Sequence, residues 1–62
     1  MAITLKAARV DVGMSQQEVA DALHIHKNTI VSYEKYRTIP DIETAKALAS
    51  LYGRSVDEIR WR

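Results

Sequence analysis

The 62-residue sequence contains no cysteine, which excludes a disulfide framework and a thiolate-bound metal. No apolar run approaches the roughly 20 residues needed to span a bilayer. The opening stretch, MAITLKAARV, lacks the apolar core and cleavage site of a signal peptide, so a cytoplasmic location is expected. Charge of one sign is also scarce. Nine lysines and arginines face eight acids, for a net +1, and any nucleic-acid partner must therefore be met by local charge. Glycine occurs twice and proline once, with no repeats and no low-complexity tract. Apolar–polar alternation never persists, so no strands are expected. What is present is 47% hydrophobic and 27% charged residues, the balance of a soluble folded domain rather than a disordered chain. A chain this short makes one domain, residues 1–62, and buries only about 60% of its unfolded surface.

The spacing predicts short helices throughout, an all-α bundle of four to five. The first runs from about Thr4, which can cap it, to Asp11, with Leu5, Ala8 and Val12 recurring at helical intervals. Gly13 ends it. Ser15 and Glu18 in SQQE form a capping-box pattern that opens a second helix, about Gln16 to Leu23, with Val19, Ala20 and Leu23 on its apolar side. After the short HIH connection, His26 can cap a third helix, about Lys27 to Lys35. Pro40 pushes the residue before it out of helical geometry, so YRTIP reads as a loop. Asp41 caps a fourth helix reaching about Tyr52, its apolar stripe being Ile42, Ala45, Leu48, Ala49 and Tyr52. Gly53 stops it. SVDE repeats the capping-box pattern, Ser55 with Glu58, and predicts a last short helix through about Arg60 with Val56 and Ile59 inward.

The third helix has two unlike faces. Ile30 and Tyr33 share one, beside Ile25 in the preceding turn. Lys27, Asn28, Val31 and Ser32 lie on the other. Between residues 24 and 37, Lys27, Lys35 and Arg37 oppose only Glu34. Lysine can donate to guanine, asparagine can pair bidentately with adenine, and serine serves several bases. On spacing alone this face could equally be ordinary solvated surface.

Two helices joined this tightly suggest a helix-turn-helix. Ala20 is small enough to let two helices cross closely, Ile30 supplies the apolar knob, and Ile25 plugs the turn. Together with GMSQQEVA, TIVSYE and IPDIETAKALASLY, these residues resemble the lambda-repressor-like family of phage and bacterial regulators, the Cro/C1 or XRE type, over roughly Leu5 to Ile59. The resemblance implies a compact bundle of four or five helices that binds double-stranded DNA, the third helix in the major groove and the second across the backbone. It assigns base contacts to His26, Lys27, Asn28 and Ser32. It assigns phosphate contacts to Gln16, Gln17, Thr29, Lys35, Tyr36, Arg37 and Thr38, although Gln17 could face solvent instead. Arg9 and Glu34 match an internal ion pair. The implied function is a sequence-specific transcriptional regulator, a phage or bacterial repressor, acting by occupancy as a homodimer formed in solution or only on a pseudo-palindromic operator. The contact between copies is expected from the fourth or fifth helix or the RWR end. In two places the family's glycine is replaced. His24 stands in the turn, where histidine tolerates a positive φ at some strain. Tyr36 follows the third helix, where an aromatic residue disfavours the left-handed conformation, so that helix is expected to end differently.

Other readings are weaker. His24 and His26, two apart, do not share a helix face, and without a third clustered ligand no metal site or cofactor is expected. No nucleophile or acid–base constellation appears among Asp11, Glu18, Asp21, His24 and His26, so no enzyme is expected. The low net charge suits a protein-interaction module, an antitoxin or antirepressor-like adaptor on the same fold. Trp61 either folds back on the core or joins a partner surface, tryptophan being enriched at interfaces.

Overall fold

The structure is a computed structural model that describes residues 2–62. In chain order it comprises β1 (Ile3–Thr4), α1 (Leu5–Asp11), α2 (Gln16–Leu23), α3 (Lys27–Glu34), α4 (Ile42–Leu51), a 3-10 turn (Val56–Glu58) and β2 (Ile59–Arg60). Each helix starts on a residue whose side chain accepts a backbone N–H that the helix itself cannot satisfy. Thr4 Oγ1 takes Ala7 N–H at 3.1 Å. Ser15 Oγ takes Glu18 N–H at 3.0 Å, and Glu18 returns the bond to Ser15 N–H at 2.9 Å. His26 Nδ1 takes Asn28 N–H at 3.1 Å, and Asp41 Oδ1 takes Thr44 N–H at 2.8 Å.

The four helices also end alike. Gly13, His24, Tyr36 and Gly53 each have positive φ, 73°, 56°, 58° and 68° respectively. Each donates to a carbonyl three residues back, and the next residue donates to one five back, as Tyr36 to Tyr33 at 3.1 Å and Arg37 to Ser32 at 3.0 Å. This paired pattern is the Schellman motif, which satisfies the last carbonyls and turns the chain sharply. Four such turns fold four short helices around one core of Leu5, Ala8, Val19, Ala20, Ile30, Leu48, Ala49, Tyr52 and Ile59. Ala20 and Ile30 are 0% and 1% exposed, and they lie where α2 and α3 pack together, as the sequence predicts.

Several expectations need correction. The predicted fifth helix is a single 3-10 turn, after which Ile59 is extended at φ −107°, ψ 138°. Glu58 accepts Ser55 N–H at 2.9 Å, so the cap forms without an α-helix behind it. The expectation of no strands fails in one place: Ile3–Thr4 and Ile59–Arg60 pair in parallel, Ile3 against Ile59. Ile59 thereby reaches the core from a strand rather than a helix, while Val56 is half-buried against it. Val12 and Ile42 are 42% and 61% exposed, because Val12 falls at the C-cap of α1 and Ile42 begins α4 outside its buried arc. Trp61 folds back, its Nε1–H donating to Val56 O at 2.9 Å. Among the described residues no helix is long and apolar enough to cross a membrane.

Candidate nucleic-acid interface

How α3 is seated decides which of its side chains face outward. Its inner side carries Ile30 in the core and Glu34 beneath it. Arg9 of α1 donates to Glu34 through Nε at 2.7 Å and Nη2 at 3.3 Å. Both side chains are nearly enclosed, at 10% and 5% exposure. Arg9 Nη1 also donates to Met14 O at 2.8 Å. The hydrogen bond with Glu34 raises the pKa of Arg9 above its ordinary value, outweighing the opposing effect of burial. Gln16, at the start of α2, donates to the same Glu34 at 3.0 Å. One carboxylate thus ties α1 and α2 to α3, a link from Gln16 that the sequence reading missed. That reading assigned Gln16 to phosphate; one of its two amide hydrogens is instead committed to Glu34.

With Glu34 turned inward and paired, the outward charge in this region comes from Lys27, Lys35 and Arg37, all exposed. His26, Lys27 and Asn28 are exposed and Ser32 is half-exposed. Taking Ile30 as the inward direction, the helical repeat of 100° per residue sets Asn28 and Ser32 within about 20° of directly outward and Lys35 within about 40°, with Val31 about 80° and Lys27 about 120° round from that direction. His26 uses Nδ1 as an acceptor for the cap, so its remaining ring hydrogen is at Nε2, free to donate. Thr29 is half-exposed on one flank, and Arg37 and Thr38 are exposed in the loop after α3. Gln17 lies exposed on α2 with its amide on Asp21 at 2.9 Å. The structure brings Asn28, Thr29, Ser32 and Thr38 to one surface and leaves His26, Lys27, Lys35 and Arg37 exposed.

The helix-turn-helix family matches residues 5–59 of this chain. The chain belongs to the Cro/C1-type helix-turn-helix family. A relative in Vibrio cholerae, the cryptic phage CTXphi transcriptional repressor RstR, is 36% identical over 55 residues, covering 89% of this chain and 50% of that protein. The chain thus spans about half the length of that relative. No solved structure matches.

Both of this member's departures from the helix-turn-helix pattern keep the backbone and change only the side chain. His24 adopts the left-handed conformation at φ 56°, ψ 41°, as expected. Tyr36 does so as well, at φ 58°, against the expectation of a different helix end. The reason lies around its ring: Arg60 of β2 places its guanidinium 4.8 Å from the ring centroid, and the ring is half-buried. The Tyr36 hydroxyl is enclosed without a hydrogen-bond partner, and its N–H is bonded to Tyr33 O. Neither group of Tyr36 points to solvent as a donor, and Arg37 and Thr38 are the exposed groups of this loop.

A shallow depression of about 330 Å³ runs along the flank of α3, lined by Asn28, Thr29, Ser32, Tyr33, Thr38 and Ile39. Tyr33 and Ile39 were not assigned to the interface from sequence. Burial raises the pKa of Tyr33, with the Asp41 carboxylate adding to the effect, so the ring presents a neutral surface at ordinary pH. Among the described residues no three His, Cys, Asp or Glu side chains cluster as a metal site would require.

Proposed function

We propose that this chain is a sequence-specific DNA-binding domain of a transcriptional repressor. It inserts α3 in the major groove and acts by occupying an operator, with no catalysed step. The observation that carries this reading is the joint exposure of His26, Lys27, Asn28 and Ser32 on a helix whose opposite side is fixed by Ile30 and the Arg9–Glu34 pair. Kinship with a phage transcriptional repressor supports it. Asn28 and Lys27 read base edges, each good contact discriminating by roughly 1–3 kcal/mol. Lys35, Arg37, Thr29 and Thr38 hold phosphates, which add affinity but little sequence information.

One copy covers too little DNA to find a site in a genome, since a single module buries roughly 600–1,000 Å². The molecule's longest dimension is 28 Å. Half-sites one turn apart are separated by about 34 Å, so two copies fit side by side on one face of the duplex. The proposal therefore includes a homodimer on a pseudo-palindrome, assembled on DNA, in the cytoplasm of a bacterial cell. Selection of bound duplexes from a randomised pool at low salt tests this: a recovered site with two-fold symmetry supports it. The net charge of only +1 favours a second reading, a protein-interaction module. A pool that emerges without enrichment, with binding insensitive to salt, would move the assignment to that class.

A further inference from the structure

The depression beside α3 lacks the charge of a phosphate site. It contains no lysine or arginine; Tyr33 and Ile39 line it together with the uncharged polar side chains of Asn28, Thr29, Ser32 and Thr38. Ile39 is 54% exposed, one of the few large apolar side chains left to solvent. It is held there by Pro40, which is itself buried and keeps the preceding residue extended. Arg37, beside the lining residue Thr38 in the loop after α3, is exposed and does not line the depression.

We propose that this depression is a deoxyribose site, Ile39 and Tyr33 packing against the uncharged sugar face of a backbone whose adjoining phosphates meet Arg37 and Thr38. The inference rests on the DNA-binding reading of α3. It follows from dimensions: a helix with side chains is about 10–12 Å across and the major groove about 12 Å wide. A helix so placed fills the groove, and its flanks face the sugar–phosphate walls. The flank carrying Thr29 and Tyr33 meets one of those walls. A sugar offers apolar C–H surface between two charged groups, which matches Tyr33 and Ile39 among hydroxyl groups, with Arg37 next in the chain. The contact gains affinity from desolvated area, without charge and without reading bases.

Its signature differs from that of every other contact in the interface. Removing a phosphate contact lowers the salt slope by about one, and removing a base contact relaxes preference at one position. Ile39→Ala should weaken binding of the selected duplex by about fivefold to twentyfold at every salt concentration, the loss set by apolar area. Slope and sequence preference should stay as in the wild type. Hydroxyl-radical footprinting, which reports sugar accessibility, should show loss of protection at one or two nucleotides per half-site, outside the positions that Asn28 reads. Because Ile39 is exposed, the melting temperature should not fall; Ile39→Leu, which restores the area, should recover the footprint. A changed base preference would transfer Ile39 to base reading, and a reduced salt slope would make it a positioner of the Arg37 loop; either overturns the sugar site. Wild-type affinity with an intact footprint also overturns it and leaves the DNA-binding reading standing. If wild type itself binds no duplex, the underlying reading fails instead.

Discussion

His24 and Tyr36 hold the same left-handed backbone, and their side chains stand in different surroundings. His24 is exposed and its side chain hydrogen-bonds to none of the described residues, so its conformation costs energy with nothing returned by the ring. A left-handed residue other than glycine costs roughly 1–2 kcal/mol, offset by the greater freedom glycine has when unfolded. His24→Gly should therefore stabilise the fold by about 0.5–1 kcal/mol, raising the melting temperature by several degrees. Tyr36→Gly relieves the same strain but removes a half-buried ring and its contact with Arg60, worth roughly 0.5–1 kcal/mol at a partly exposed site. It should melt no higher than the wild type. Equal stabilisation by both changes would show that the Tyr36 ring contributes nothing. Tyr52 sets the alkaline limit. Burial, aided by the charge of Glu34 and opposed by that of Arg9, pushes its pKa up to about 12 from the ordinary 10.0. The folded state thus holds its phenolic proton more tightly than the unfolded chain, and the stability this represents is complete below pH 10 and lost as pH rises toward 12. Denaturant titrations at pH 9, 10.5 and 12 should show that fall, and Tyr52→Phe should shrink it.

At the scale of the helices, the seating of α3 depends on two contacts: its packing against α2 around Ala20, and the bridge from Arg9 to Glu34. Ala20 is completely enclosed, so Ala20→Leu should overpack the crossing and destabilise by roughly 1–3 kcal/mol; an unchanged melting curve would refute the placement of that crossing. The outward side of α3 behaves oppositely. Asn28→Ala should leave stability intact and relax base choice at one operator position, whereas Arg37→Ala should weaken all duplexes alike and lower the salt slope by about one. Competition binding against single-base operator variants separates the two. These helices were legible in the sequence because caps and apolar periodicity are local: Thr4, Ser15, His26 and Asp41 cap where their chemistry indicates. The end of the chain was not. A capping box at Ser55 and Glu58 says that a turn begins, not that a helix continues. The extended Ile59 is decided by pairing with Ile3, 56 residues away, which no local pattern encodes. Val12 and Ile42 misled for a related reason, since a helical interval identifies a face only inside the helix. Gln16 has the composition of a phosphate ligand, and only the folded position of Glu34 shows that its amide already has a partner.

At the scale of the whole molecule, a net charge of +1 coexists with a surface that suits DNA because the charges are sorted. Glu34 is enclosed and neutralised by Arg9, while Lys27, Lys35 and Arg37 stay outside. The short parallel pair of β1 and β2 joins the two ends of the described chain and brings Arg60 to Tyr36, so the loop that carries Arg37 is braced from the far end of the sequence. The molecule exposes 4045 Å² in all; an interface of roughly 600–1,000 Å² would take up to about a quarter of it. The central claim is that α3 and its flanking loop meet DNA. Its most direct test is to titrate isotopically labelled protein with a selected duplex and follow the amide resonances. Perturbations should concentrate at Gln16, Gln17, His26 to Ser32 and Lys35 to Ile39, and leave the middle of α4 and the Val56 turn quiet. Shifts centred on α4, with Asn28 and Ser32 unmoved at saturation, would contradict the account.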